Sequence, residues 1–182
     1  MITKKWLWMM ALVAMPFVFA SCSDDDDDNG LTANHFSYDG NTYDLTGGIL
    51  FTGESVGDVY FISMLLHSSG LQFSDEEMDF TGQGHGIALT LFSPEEHRPG
   101  TGTYSFEGGI SFELYTFTDG EVVIDFNADT QEGIQLPITG GSLEVEESGE
   151  NNRIGFTLET EDGNTITGQY NGSMSVYDFV DL

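Results

Sequence analysis

From Phe36 onward, apolar and polar residues alternate with a period of two, broken by turn residues roughly every 8 to 14 positions. No stretch holds a helical repeat for ten residues, so the chain reads as all-β. Tyr43 to Phe51 and Asp58 to His67 are the first two expected strands, divided by the turn-rich run Thr52 to Gly57. Val59 to Leu66 is apolar at nearly every place, which suits a strand covered on both faces at the centre of the core. Ser74-Asp75-Glu76-Glu77 sets an N-capping serine three places before a glutamate and predicts a short helical turn. The glycine-rich Gly82-Gln83-Gly84-His85-Gly86 then reads as a flexible loop, and Ile87 to Phe92 as a strand. Ser93-Pro94-Glu95-Glu96 repeats the helix-start pattern with proline at the first helical position, and Pro99-Gly100 stops it.

After the short strand Thr103 to Phe106, Gly108-Gly109 turns the chain, and Ile110, Phe112 and Leu114 alternate with polar neighbours as a further strand. Asp119-Gly120 is a hairpin signal leading into Glu121 to Phe126, and Asn127 to Pro137 is looser. The clearest meander follows: Gly141 to Glu147, Arg153 to Glu159 and Asn164 to Tyr170, with a turn at Ser148 to Asn152 and another at Asp162-Gly163. Leu143, Val145, Ile154, Phe156, Leu158, Ile166 and Tyr170 would line its buried face, as a half-wet antiparallel sheet requires. Asn171-Gly172 leads to a last strand, Ser173 to Val180. The expectation is about ten antiparallel strands closing into a β-barrel or packing as a closely related β-sandwich, either of which limits exposed edges.

The first 21 residues differ in kind. Lys4 and Lys5 precede an apolar run from Trp6 to Ala20, which ends in the small residues Ala20-Ser21. The run is about fifteen residues, short of the roughly twenty that span a bilayer, and Pro16 interrupts it, so it reads as a cleaved export signal. Cys22, the only cysteine, follows directly, and then Ser23 and the unbroken run Asp24, Asp25, Asp26, Asp27 and Asp28. The expected organisation is a signal at 1–21, an acidic tether at 22–35 and one all-β domain at 36–182.

The stretch Phe19-Ala20-Ser21-Cys22 resembles the lipobox of bacterial lipoproteins, although Phe19 departs from the usual aliphatic residue there. The resemblance implies cleavage before Cys22, acylation of that cysteine, including by palmitate, and anchorage to a membrane through its acyl chains. Two or three chains hold durably where one holds marginally. Ser23 to Asp28 resembles the acidic export signal by which Bacteroidota send lipoproteins to the outer face of the outer membrane, and this implies a lipid-anchored protein facing the cell exterior. As plain chemistry the same run is a solvated spacer of self-repelling charges. The C-terminal segments Gly140 to Val145, Arg153 to Leu158 and Asp162 to Gly172 are similar to small Bacteroidota lipoproteins of unassigned role, some of them lipocalin-like barrels. Pro99 to Phe106 echoes their strand start with two extra residues. That likeness implies a fold and brings no catalytic motif.

Charge narrows the partners. From Ser23 onward the fixed cations are Arg98 and Arg153, against 31 carboxylates, a net of −29. Such a field repels phosphate backbones, which excludes nucleic acid as a partner. His35, His67, His85 and His97 are scattered without zinc-ligand spacing. No nucleophile motif is present, so no enzymatic role and no metal cofactor are expected. The oxygen-rich turns Asp39-Gly40-Asn41, Asp125 to Asp129 and Glu161 to Asn164 suit at most weak calcium association. Phe61, Met64, Phe92, Phe112, Phe126 and Phe156 would line an apolar ligand cavity if the strands close widely, or simply fill the interior. The function expected is a non-enzymatic binding module for a small hydrophobic molecule, a glycan or a protein. The alternative is an accessory component of an outer-membrane protein complex.

Overall fold

The computed structural model describes residues 34–109, 111–148 and 151–178. Cys22, Ser23 and Asp24 to Asp28 lie outside the described residues, as does Ile110. The described chain is all-β, with strands β1 (His35–Tyr38), β2 (Asn41–Asp44), β3 (Gly47–Val56), β4 (Val59–His67), β5 (Leu71–Ser74) and β6 (Asp79–Ser93). These are followed by β7 (Gly102–Phe106), β8 (Thr116–Asn127), β9 (Glu132–Ser148), β10 (Asn151–Thr160), β11 (Thr165–Gly172) and β12 (Ser175–Asp178). They form one curled, half-barrel sheet in the order β12-β3-β4-β6-β8-β7-β9-β10-β11-β1-β2, with β5 paired to β6, an architecture consistent with a lipocalin-like β-barrel.

The meander β9-β10-β11 follows the alternation directly. Val145, Ile154 and Tyr170 stand opposite one another in register, as do Leu158 and Ile166, and all are buried in the core. Gly168 faces Phe156 in that register, and a Cβ built there would lie 2.5 Å from the Phe156 ring. The missing side chain is what lets the ring lie across the neighbouring strand. On the other half of the sheet Leu50, Ile62, Met64, Leu66, Ile87, Leu91, Val122 and Ile124 join the same cluster. One contiguous core therefore fills the concave side.

Several local expectations give way to tertiary pairing. Ser74 to Met78 is the turn of the β5–β6 hairpin and makes the one expected helical turn, with Met78 N–H donating to the Ser74 carbonyl at 2.8 Å and Glu77 N–H to Ser74 Oγ at 3.3 Å, but no longer helix follows. Gly82 to Gly86 lies within the fifteen-residue β6 and is no loop, because these glycines admit close neighbours: a Cβ on Gly82 would stand against the Gly70 carbonyl. The Ser93–Gly100 segment forms no helix. Ser93 Oγ accepts from the amides of Glu95 and Gly100, each at 3.0 Å, and donates to the Arg98 carbonyl at 3.1 Å, folding the segment into a compact loop. The buried Tyr104 hydroxyl, its pKa raised chiefly by burial, donates to the Gly100 carbonyl at 3.1 Å.

Residues 111–115 form no strand but part of a connection from β7 to β8. Asp119-Gly120 is no hairpin but a bulge inside β8, where Leu89 faces Gly120, Thr90 faces Thr118, and Asp119 is the extra residue with φ of 39°. Residues 132–137, read as loose, begin the seventeen-residue β9. Tyr43 to Phe51 divides at Leu45-Thr46 into β2 and β3. Two pairings are parallel, β12 with β3 and β7 with β8, where an antiparallel order was expected throughout.

Candidate functional site

β4 is apolar at nearly every place, but its two faces meet different fates. Ile62, Met64 and Leu66 point into the core, while Phe61, Ser63, Leu65 and His67 on the opposite face are only half-buried. The register places Phe61 opposite Phe92, Ser63 opposite Thr90 and Leu65 opposite Ala88, so β4 and β6 share an outward row that is aromatic at one end and small in the middle. β8 continues this face with Glu121 and Val123, and β9 with Pro137.

Three hollows run in series along this outer face. The central one, about 560 Å³, is lined by Ser63, Leu65, Ala88, Thr90, Pro137 and Ile138, with Asp119 and Glu121 among its walls. It shares Leu65, Ala88 and Glu121 with a second hollow of about 180 Å³ bounded by Phe80, Val123 and Phe126. It shares Thr90 and Asp119 with a third of about 370 Å³ bounded by Phe61, Phe92 and Phe112. The result is one continuous trough. At its far end the rings of Phe61, Phe92 and Phe112 interlock, with centroids 5.3 Å apart for Phe61–Phe92 and 5.5 Å for Phe61–Phe112.

The connection 107–115 is pinned so as to deliver Phe112 there. Glu107 N–H donates to the Phe117 carbonyl at 2.9 Å, Tyr115 N–H to the Phe92 carbonyl at 3.0 Å and Thr116 Oγ1 to the Glu113 carbonyl at 2.7 Å. The bulge at Asp119 has a matching effect, since the extra residue places Asp119 in the wall that Glu121 already lines. A Cβ on Gly120 would come within 2.7 Å of Leu89 and 2.9 Å of Ile138, so the bulge also requires a residue without a side chain.

The six aromatic and methionine residues that the sequence offers as cavity lining divide. Met64 and Phe156 belong to the packed core at 0 % and 5 % exposure, and Phe156 also borders a separate hollow with Thr103, Ser142 and Thr157, away from the trough. Phe61, Phe92 and Phe112 come together at one end of the trough, and Phe126 stands at the other. Leu65, Ala88, Asp119, Glu121 and Pro137 complete the trough without having been expected there. The apolar run Val59 to Leu66 marked the strand but not its open face, because an uncovered strand shows the same run of apolar places as one covered twice.

Electrostatically the trough wall is unopposed. Arg98 is held by Glu95 at 2.5 Å and Glu147 at 3.1 Å, its pKa raised by the bond to Glu95, and Arg153 lies 3.6 Å from Glu146. Among the described residues neither Asp119 nor Glu121 has an ion pair. No group of three or more His, Cys, Asp or Glu among the described residues is arranged to hold a metal. Within the oxygen-rich turns Asn127 Oδ1 takes the amides of Asp129 and Thr130, and Asp162 takes Thr160, Tyr38 and Asn164. His85 Nδ1 accepts the Asp125 amide at 3.1 Å, which makes it a structural partner of β8. Comparison of the chain with protein-family models, curated proteins and solved structures finds no match to any of them.

Proposed function

We propose that this protein is a lipid-anchored, surface-displayed, non-enzymatic binding module whose binding surface is the outer face of β4, β6, β8 and β9. The observation that carries the reading is an inversion of the usual barrel arrangement. The concave side is filled by a single packed core, whereas the open, aromatic-ended hollow is on the convex side. Concave, mostly apolar hollows with a few polar groups are the common form of a binding site. The attachment rests on Cys22 behind its apolar leader, and the outward display on the acidic run after it.

Replacing Cys22 with alanine should abolish incorporation of labelled palmitate and move the protein from the membrane fraction to the soluble one. Retention in the membrane without label would sink the attachment. External protease should digest the protein on intact cells, and neutral residues in place of Asp24 to Asp28 should protect it. Equal digestion of both would reduce the run to a spacer. For binding, molecules that co-purify with the native protein should be lost on Ala88→Trp, which fills the trough from an outward position, and their persistence would remove the trough from the reading.

A further inference from the structure

We infer that the trough receives an extended segment of a partner protein, apolar at both ends and carrying lysine or arginine at its middle. The inference rests on the proposed binding role of this face and adds the chemistry of the occupant.

Length is the first argument. The three hollows follow β6 from Gly86 to Phe92, six residue steps, which at about 3.3 Å each is roughly 20 Å. An extended segment of about six residues has that reach. The distribution of polarity is the second. Phe80 and Phe126 close one end and Phe61, Phe92 and Phe112 the other, while between them the small Ser63, Ala88 and Thr90 leave room beside Leu65, Pro137 and Ile138, under the carboxylate-bearing Asp119 and Glu121. Apolar side chains therefore fit the two ends, and a longer polar one fits over the centre.

Charge complementarity decides the sign. Asp119 and Glu121 wall the centre with no cation against them, and both fixed cations among the described residues are already held by glutamates elsewhere. A ligand that covers these carboxylates strips water from them, which is costly unless it brings a positive group. A fatty acid or an acidic peptide would add repulsion to that cost. A basic centre turns it into an attraction that also steers the encounter.

The test uses the full-length protein purified from membranes and two fluorescent hexapeptides, each with leucines at both ends and two central residues, lysines in one and glutamates in the other. The lysine peptide should bind by anisotropy, more weakly as salt rises, and the glutamate peptide should not. Asp119→Asn with Glu121→Gln should weaken the lysine peptide about tenfold. Removing two charges elsewhere, Glu144→Gln with Glu161→Gln, should change it less than about twofold, since local pairing exceeds the screened field of distant charges. Ala88→Trp should abolish binding while circular dichroism shows the fold retained.

Failure of the lysine peptide to bind at millimolar concentration overturns the inference. So does equal weakening by the two double variants, which would leave only net charge at work. If an alkyltrimethylammonium probe binds in a manner that Ala88→Trp blocks, and the peptide does not bind, the occupant is wrong while the binding face stands. If Ala88→Trp leaves every probe bound as before, the face and the inference fall together.

Discussion

Asp162 shows how far one side chain can reach across a sheet. It sits in the β10–β11 turn, yet its carboxylate accepts from the Tyr38 hydroxyl at 2.6 Å as well as from Thr160 Oγ1 at 2.6 Å and Asn164 Nδ2 at 2.8 Å. Those bonds, with Thr160 first, hold its pKa well below the usual carboxylate range. A depressed folded pKa makes this contribution to stability complete above the ordinary aspartate value near 4, and it is lost as pH falls below that toward the folded value. Asp162→Asn should therefore lower the urea midpoint at neutral pH, and the gap to the unchanged protein should narrow as the pH drops below about 4. A constant gap across that range would rule the linkage out. Tyr104→Phe tests a buried bond instead. Losing the donor to the Gly100 carbonyl should cost about 1 kcal/mol in denaturant unfolding, as for a typical hydrogen bond.

At the scale of elements, the legibility of the sequence follows from how much of each strand's setting is local. β10 and β11 were readable because hairpins join them to their neighbours and each strand has one buried face, so alternation states the answer. β6 was not. Its glycine-rich first half reads as a loop until the neighbours that need those glycines are known, and its β5 partner arises from a turn that also resembles a helix start. The same element logic separates two phenylalanines that look alike in sequence. Phe156→Ala, in the meander's core, should cost about 3–5 kcal/mol in urea unfolding. Phe112→Ala, at 48 % exposure on the connection before β8, should cost under about 1 kcal/mol. Equal losses would mean that the aromatic end of the trough is part of the core.

Charge governs the molecule as a whole. From Ser23 onward 31 carboxylates face two arginines, and the carboxylates repel one another throughout the body. Raising the ionic strength from about 0.01 M to 0.15 M shortens the screening length from about 30 Å to about 8 Å. The melting temperature should rise over that interval, in scanning calorimetry with sodium chloride and no divalent ion. An unchanged value would mean that the acids are spaced widely enough for repulsion not to matter.

Strand content, the buried face of the meander and the negative sign of the molecule were settled by sequence alone, because two-residue alternation and net charge are properties of a segment or a sum and need no partner. Whether the convex face of β4 and β6 is covered or open was decided only in three dimensions. That outcome depends on which distant strands pair, where the bulge inserts Asp119, and how the connection carrying Phe112 is pinned. Coverage is a relation between residues far apart in the chain, and a run of apolar residues looks the same with it or without it.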